Sequence, residues 1–173
     1  PESTTGPGAF RLSPGGIITR VGVNEGLPSG RVYALAEGVD GSLWFGTSGG
    51  LSRWLDGRWR HYTTADGLRA NRCFTVAADP SGGVWVGHGG AGLARVEGER
   101  IRYVTAPDSL ASQYIWHVRI DAANRVWVST DGGVSVLEAD TWTTFDGRTG
   151  LRSARAWPIL PVGNRVYIGT RGG

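Results

Sequence analysis

Short apolar runs alternate with turns rich in Gly, Asp and Ser along the whole chain. Between residues 26 and 66 four such runs occur, at residues 32–37, 43–47, 51–55 and 59–63. They are β-branched or aromatic, and none shows the period of an amphipathic helix. Gly and Asp tolerate the positive φ that tight hairpin turns require. The pattern therefore predicts four short antiparallel strands in this stretch.

The same unit recurs along the chain. We predict a flexible lead-in over residues 1–8, a half-unit over 9–25 that aligns with residues 50–66, full units over 26–66, 67–108 and 109–149, and a final half-unit over 150–173. Four-stranded repeats of about 40 to 45 residues are the signature of a β-propeller, in which each unit is one blade. Helical repeats of this length need two amphipathic helices, and 29 glycines leave no room for them. The predicted fold is all-β.

Large aromatic residues keep a fixed register in these units. Trp44, Trp85, Trp127 and Tyr167 follow one another at 41, 42 and 40 residues on the second strands. Tyr33, Phe74, Trp116 and Trp157 occupy a second shared position, on the first strands. Adjacent propeller blades pack face to face, and burying an aromatic ring there is worth about 1.5–3 kcal/mol. We expect both sets to fill the space between blades.

The two half-units leave the number of blades open. With three complete blades they amount to about four blade equivalents. Pairing of the two ends would close a small ring and hide the free strand edges. A segment of a larger ring could have the same half-units at its two ends, so both arrangements remain open at this point.

Composition narrows the class of protein. All 18 basic residues are Arg, and the net charge of +3 is spread without a basic run, which argues against a nucleic-acid partner. Cys73 is the only cysteine, which excludes an internal disulfide. No apolar run reaches the length of about 20 residues that a membrane helix needs, so we expect no direct membrane contact in this segment. The sequence contains no Met, and we interpret it as a piece of a longer chain.

The first full unit resembles the two-component regulator propeller repeats of bacterial sensor proteins. The matching residues are Gly26-Leu27-Pro28-Ser29, Arg31-Val32-Tyr33, Asp40-Gly41, Leu43-Trp44-Phe45-Gly46-Thr47, Gly49-Gly50-Leu51-Ser52-Arg53 and His61-Tyr62. The later units keep Gly-Leu, Arg, Val-Trp-Val-Gly and Gly-Gly in register, less closely.

This resemblance implies a ligand-sensing domain outside the inner membrane, in the periplasm or another extracytoplasmic space. Family members commonly form rings of seven blades and precede a histidine kinase, a diguanylate cyclase or a DNA-binding output domain. Such a parent could carry an enzymatic output, but the segment itself is expected to be non-catalytic, with no cofactor and no metal.

The strings that imitate catalytic motifs are better explained as turns. Gly46-Thr47-Ser48-Gly49-Gly50 matches a nucleophile elbow, but a strand follows where that motif requires a helix. His61 matches the family pattern and is interpreted as structural. His88 and His117 depart from the residues at their positions in the other units, so they are the better candidates for function.

A rim of the predicted propeller collects the candidate ligand-binding residues. In a propeller the start of each innermost strand and the turn after the second strand open on one face. The candidates there and nearby on the strands are Arg31, Arg72, His88, Tyr114, His117, Asp131, Arg155 and Arg171. Arginines beside aromatic rings suit carboxylate, sulfate or phosphate groups and sugar hydroxyls. The alternative is that these arginines brace neighbouring blades.

Three functions remain open. The first is a sensor module that binds a small molecule or oligosaccharide, either a carbohydrate or a small anionic ligand. The second is a protein-interaction scaffold that self-associates through its blade edges, since unpaired half-blades expose strands. The third is a propeller lyase or lactonase, which requires a metal or a His with carboxylate partners near the channel. The only candidates for lyase or lactonase catalysis are His117, and His88 together with Asp131.

Overall fold

Three four-stranded sheets and two strand pairs make up the fold in the computed structural model, which describes residues 6–104, 109–151 and 155–171. The strands are β1 (Ala9–Leu12), β2 (Ile18–Val21), β3 (Val32–Glu37), β4 (Leu43–Thr47), β5 (Gly50–Leu55), β6 (Arg58–Tyr62), β7 (Cys73–Ala78), β8 (Val84–His88), β9 (Leu93–Glu97), β10 (Arg100–Val104), β11 (Ile115–Ile120), β12 (Val126–Thr130), β13 (Val134–Glu138), β14 (Thr141–Phe145), β15 (Ala156–Val162) and β16 (Arg165–Thr170). Two short 3₁₀ turns, Val23–Glu25 and Thr64–Asp66, lead into the first and second blades.

Each full blade is an antiparallel meander. Strands β3–β6 form the first blade, β7–β10 the second and β11–β14 the third, with each strand paired to the next in sequence. Strands β1 and β2 form the leading half-blade, and β15 and β16 form the trailing half-blade. The innermost strands β3, β7, β11 and β15 contact one another in succession. This is the blade arrangement of a propeller, so the predicted fold class is confirmed.

The core lies between the blades. Trp44 packs with Val76 and Val84 of the second blade, and Trp127 packs with Ile159 of the trailing half-blade. Trp44, Trp85 and Trp127 are all buried. The prediction that the second-strand aromatics fill the space between blades is therefore correct for these three, and wrong for Tyr167, which is 56% exposed.

The inter-blade contact also explains a glycine on the second strand. A Cβ atom added at Gly46 would lie 2.7 Å from the carbonyl oxygen of Cys73 on the next blade. In the third blade Ser129 stands at this position, and its hydroxyl donates a hydrogen bond to the Trp157 carbonyl oxygen at 2.6 Å. The close approach that favours Gly is thus replaced by a hydrogen bond between blades.

The sheets do not close on themselves in the described part of the chain. The leading and trailing half-blades are separate two-stranded sheets, and β16 pairs with β15 but not with β1. Closure of a small ring by pairing of the two ends is therefore not observed. Of the lead-in expected over residues 1–8, residues 1–5 lie outside the described ranges.

The register of the leading half-blade differs by one residue from the predicted alignment. Ala9 pairs with Val21, as Leu51 pairs with Tyr62 in the first blade. Gly8, with φ of 86°, thus corresponds to Gly50, with φ of 135°. The sequence alignment had matched Ala9 to Gly50, and a longer turn between β1 and β2 accounts for the shift.

No helix among the described residues is long and apolar enough to cross a membrane.

Candidate functional site

Each innermost strand carries a β-bulge at the same place. The pairing registers shift between Val32 and Ala34 in β3, between Cys73 and Thr75 in β7, between Ile115 and His117 in β11, and between Ala156 and Ile159 in β15. Bulges bend a strand and re-aim a side chain. The residues at the bulges include Tyr33, Phe74, Trp116 and Trp157, which we call the aromatic arc.

The rings of the aromatic arc contact one another from blade to blade. Tyr33 and Phe74 meet edge to face with centroids 5.2 Å apart. Phe74 and Trp116 are nearly parallel at 6.3 Å, and Trp116 stacks on Trp157 at 4.8 Å. Tyr114 adds a further ring, 4.6 Å from Trp116. Four innermost strands thus present one continuous aromatic surface.

This surface lines a cleft of about 480 Å³ on the inner side of the blades, which we call the central cleft. All four arc residues line it, together with Thr75, His117 and Arg119. Tyr33, Phe74 and Trp116 are half-buried, and Trp157 is exposed. The first-strand aromatics thus contact one another between blades, as predicted, but they line the cleft and are not buried in the core as the second-strand tryptophans are. The bulges turn them toward the cleft.

His117 is the titratable ring in the central cleft. Its Nδ1 accepts a hydrogen bond from the Ile159 backbone N–H at 3.2 Å, which ties β11 to β15. Burial, together with the positive charge of Arg119, lowers the pKa of His117 to about 4. The ring is therefore neutral at physiological pH, and with Nδ1 accepting, the proton is on Nε2. His117 can donate a hydrogen bond to a ligand oxygen.

His88 lies inside the second blade. Its side chain is fully buried, and its Nδ1 is 3.1 Å from the Arg72 carbonyl oxygen. The His88 ring also stacks near Tyr103, with centroids 6.0 Å apart. Burial lowers the pKa of His88, and the hydrogen bond to the Arg72 carbonyl only partly offsets that effect. The structure thus separates His88 from the surface on which a ligand would lie.

The other predicted rim residues come together only in part. The Arg72 guanidinium lies 5.7 Å from the Phe74 ring centroid, and Phe74 is 6.1 Å from Tyr114. These three side chains form one cluster at the edge of the central cleft. A bridge between Gly89 and Tyr114 connects this cluster to the turn after β8.

The remaining candidates lie farther along the rim. Arg31, Arg155 and Arg171 are exposed, and Asp131 is half-buried in the turn after β12. A backbone hydrogen bond of 3.1 Å from Arg171 to Arg155 holds that pair of residues together. The contacts that define the central cleft do not include these four side chains.

Sequence reasoning missed two features of the site. Arg119 was not among the candidates, although a lone Arg on an innermost strand departs from the Ala36, Ala77 and Leu160 at its position in the other units. The second feature is the direction of the first-strand aromatics. A bulge adds one residue to a strand without a sequence marker, so the direction could not be read from alternation alone.

Aspartates at the turns have a structural role that the turn motifs did not reveal. Asp121 accepts hydrogen bonds from the Trp127 indole N–H at 2.9 Å and from Arg125 Nε at 2.7 Å. Asp79 accepts from Trp85 and Arg95 in the same way. These carboxylates fix the positions of the inter-blade tryptophans, and their hydrogen bonds lie within the blades. Among the described residues, no three His, Cys, Asp or Glu side chains are grouped so as to hold a metal ion.

The blades and the central cleft define a β-propeller domain with an open arrangement of blades. Residues 26–49 match the family model of the two component regulator propeller. This match covers the first two strands of the first unit and agrees with the resemblance that its motifs show. No curated protein matches the sequence.

Solved structures share the fold at low sequence identity. One is described as the extracellular domain of a hybrid two-component system from B. thetaiotaomicron. It matches 88% of this chain and 24% of its own, with a TM-score of 0.77 and 22% identity. A second such domain from the same organism matches 94% of this chain and 24% of its own, with a TM-score of 0.75 and 20% identity. The chain thus spans about a quarter of the length of these structures.

An enzyme shares the fold as well. A catalytically inactive virginiamycin B lyase from Staphylococcus aureus, with quinupristin, matches 92% of this chain and 55% of its own. Its TM-score is 0.72 and its identity is 16%. At these identities the similarities establish the propeller fold, and function has to be argued from the residues of this chain.

Proposed function

We propose that this chain is a non-catalytic ligand-binding module of a bacterial signal-transduction protein, and that it binds an acidic carbohydrate in the central cleft. The observation that carries the proposal is the aromatic arc. Four rings on equivalent bulges form a platform that the fold itself does not need, since the inter-blade core is built by the second-strand aromatics.

Stacking on aromatic rings is the physical reason to propose a carbohydrate as the ligand. The apolar C–H faces of sugar rings pack against flat aromatic side chains, while their hydroxyls require hydrogen-bonding partners. Trp157 is exposed beside Trp116, so its indole is available to a ligand. The N–H of His117 and the guanidinium of Arg119 supply donors within the same cleft.

Charge favours an acidic sugar over a neutral one. Arg119 lines the central cleft, Arg72 lies at its edge beside Phe74, and no carboxylate is among the lining residues that the structure describes. A guanidinium binds a carboxylate through paired, charge-assisted hydrogen bonds. A uronic acid unit offers both a stacking face and a carboxylate.

The state of His117 supports binding rather than catalysis. A general base must be free to accept the proton that it removes. The Nδ1 atom of His117 already accepts a backbone hydrogen bond, and the low pKa weakens the ring as a base. Because a lyase has a similar fold, catalysis is the alternative to test. An enzyme would convert the carbohydrate into an unsaturated or hydrolysed product, and we expect the purified protein to leave the carbohydrate unchanged.

We further propose an extracytoplasmic location for the domain, on the grounds of the family resemblance of its first unit. In this arrangement the propeller receives the ligand outside the cell membrane, and a separate output domain of the parent protein responds.

Calorimetric titration with a short oligogalacturonate tests the proposed function. We expect saturable binding to the unmodified protein, and a loss of affinity of about tenfold, equivalent to about 1.4 kcal/mol, in Trp157→Ala. Trp54→Ala is the matched control, because Trp54 lies on β5 outside the central cleft. An unchanged affinity in Trp157→Ala, or a loss in Trp54→Ala instead, would refute the site.

Arginine variants separate charge from stacking. Arg119→Glu and Arg72→Glu should weaken binding of the oligogalacturonate, and should leave binding of a neutral xylo-oligosaccharide much less affected. If both variants bind the acidic and the neutral sugars like the unmodified protein, the preference for an acidic ligand is wrong even where the stacking platform is right.

A further inference from the structure

Two of the three complete blades fix their inter-blade tryptophan with the same pair of hydrogen bonds. In the second blade Asp79, the first residue after β7, accepts from the Trp85 indole N–H at 3.2 Å and from Arg95 Nε at 2.9 Å. In the third blade Asp121, the first residue after β11, accepts from an indole and a guanidinium Nε at 2.9 Å and 2.7 Å. One carboxylate thus joins both donors in each of these blades.

The first blade keeps the two donors but not the carboxylate. Trp44 pairs with Arg53 across β4 and β5, as Trp85 pairs with Arg95 in the second blade. The first residue after β3 is Gly38, which has no side chain to accept a hydrogen bond. The indole and the guanidinium of the first blade therefore need another acceptor.

Asp40, two residues farther along the turn, serves them only in part. Its Oδ1 accepts from the backbone N–H and the hydroxyl of Ser42, at 3.0 Å and 2.6 Å, and its Oδ2 accepts from Arg53 Nη2. The second blade has the same Asp–Ser contact two residues earlier, between Asp79 and Ser81. Because of this displacement, Arg53 Nε is buried without a hydrogen-bond partner among the residues that the structure describes.

A pocket of about 270 Å³ lies beside these groups, between the first and second blades, and we call it the inter-blade pocket. Arg53, Trp44 and Tyr62 line it, and the rings of Trp44 and Tyr62 are nearly parallel with centroids 5.9 Å apart. The lining residues from the second blade are Gly82, Gly83 and Gly98. Because these glycines have no side chains, the second blade leaves room beside the two donors of the first.

The charges in the inter-blade pocket favour a neutral ligand. Hydrogen bonds from Ser42, with help from Arg53, lower the pKa of Asp40 to about 2, so Asp40 is ionised at neutral pH. Its charge offsets that of Arg53, and an anion bound at Arg53 Nε would lie against the Asp40 carboxylate. A hydroxyl group avoids this repulsion, because it can accept a hydrogen bond from the guanidinium and donate one to the carboxylate.

We propose that the inter-blade pocket binds a small neutral polyhydroxyl compound, either a polyol or a single sugar unit. One ligand hydroxyl accepts from Arg53 Nε and the Trp44 indole N–H, and donates to Asp40. The Asp40 side chain is nearly half exposed, so rotation of its carboxylate admits the hydroxyl to Nε. The C–H groups of the ligand lie against the aromatic wall of Trp44 and Tyr62.

The inter-blade pocket is separate from the central cleft. It lies at the turn between β3 and β4, at the other end of the strands from the predicted rim, and the two sites share no lining residue among those described. The inference therefore does not depend on the proposed function, and either site can be correct without the other.

Side-chain N–H signals in ¹⁵N–¹H NMR spectra provide the first test. We expect glucose or glycerol to shift the signals of Arg53 Nε–H and the Trp44 indole saturably. Sodium acetate at the same concentrations should leave both in place. The Trp85 indole signal is the internal reference, since Asp79 already binds it. No shift with either neutral compound, or a shift with acetate alone, would overturn the proposal.

Copying the turn of the second blade into the first tests the position of the ligand. In the double variant Gly38→Asp with Asp40→Ser, the new carboxylate should bind the two donors itself. A Cβ atom at Gly38 would lie 2.6 Å from Ser42 Oγ and 2.8 Å from Asp40 Oδ1, but both are side-chain atoms and the second is removed. We expect affinity for the neutral compound to fall at least about tenfold and the melting temperature to rise. Unchanged affinity would refute the site.

A lysine substitution tests the role of Nε without removing the charge. Arg53→Lys keeps a cation beside Asp40 but lacks the Nε donor, so affinity for the neutral compound should fall about tenfold. Arg125→Lys is the matched control in the third blade, where Nε is bound to Asp121, and it should leave this affinity unchanged. Equal losses in the two variants, or none in Arg53→Lys, would contradict the proposal.

Discussion

At the scale of the residue, the molecule separates aromatic side chains that hold blades together from those that face the cleft. Trp127 is buried, and its indole donates to Asp121, whose side chain is itself almost inaccessible. Trp116 stands on a neighbouring strand, but a bulge directs it to the central cleft. Substitutions of the two tryptophans should therefore have different consequences, one for stability and one for binding.

Removal of the Asp121 carboxylate should strongly destabilise the third blade. Asp121→Ala leaves the buried indole of Trp127 and the guanidinium of Arg125 without their acceptor, which should cost about 2–4 kcal/mol in the free energy of unfolding. Glu138→Ala is the control, since Glu138 is largely exposed and lies 3.9 Å from Arg125. Urea unfolding followed by fluorescence should show a small change in the control. Equal effects in the two variants would mean that Asp121 does not hold the tryptophan.

The turn aspartates should also make the protein sensitive to acid. Hydrogen bonds from Ser42, with help from Arg53, lower the pKa of Asp40 to about 2. Burial alone would raise the pKa of Asp121, but hydrogen bonds from Trp127 and Arg125 outweigh it and lower the pKa. A carboxyl group with a pKa below its unfolded value stabilises the fold when ionised, and this contribution is lost on protonation.

We therefore expect the free energy of unfolding to fall in two ranges of pH. Below about pH 6.5 the histidines are protonated in the unfolded chain, whereas burial lowers the pKa of His88 and lowers that of His117 to about 4, so stability should fall. Between about pH 4 and pH 2 it should fall further as Asp40 is protonated. Urea titrations across this interval provide the measurement. Asp40→Asn should be less stable at neutral pH and should show a shallower fall in acid. A fall of the same steepness in Asp40→Asn would show that other groups cause the acid sensitivity.

At the scale of the element, the repeat of four short strands was predictable and its irregularities were not. Alternating runs and Gly-Asp turns predicted β3 and β4 with the bounds that the structure has. The bulges and the one-residue shift in the leading half-blade were missed, since both depend on strand pairing, which is a contact between distant residues. Of the candidate site, the Arg72 and Tyr114 cluster was found at the edge of the cleft, while His88 is buried.

The close contact between neighbouring blades gives a prediction for Gly46. A methyl group there would meet the backbone of Cys73, and backbone cannot move aside as a flexible side chain can. Gly46→Ala should therefore destabilise the protein by about 1–3 kcal/mol through overpacking. Gly15→Ala, in the open turn between β1 and β2, should change the free energy of unfolding by much less. Thermal unfolding of both variants decides the matter, and a neutral Gly46→Ala would show that the blades can separate at no cost.

At the scale of the whole molecule, the innermost strands form one surface from β3 to β15, and the aromatic arc extends over all of them. The fold class could be predicted from the repeat. The absence of pairing between β16 and β1 in the described chain could not, because a closed ring and a segment of a larger ring predict the same order of strands. Among the described residues, Tyr167 of β16 and Leu35 of β3 are more than half exposed.

The central claim is that a ligand binds on the aromatic arc, and the indole N–H signals of the eight tryptophans test it most directly. We expect titration with the oligogalacturonate to shift the signals of Trp116 and Trp157 in a two-dimensional ¹⁵N–¹H NMR spectrum. The signals of Trp85 and Trp127, whose indoles are bound to aspartates between the blades, should stay in place. Shifts confined to Trp54 and Trp59, which lie outside the central cleft, or no shifts at all, would contradict the claim.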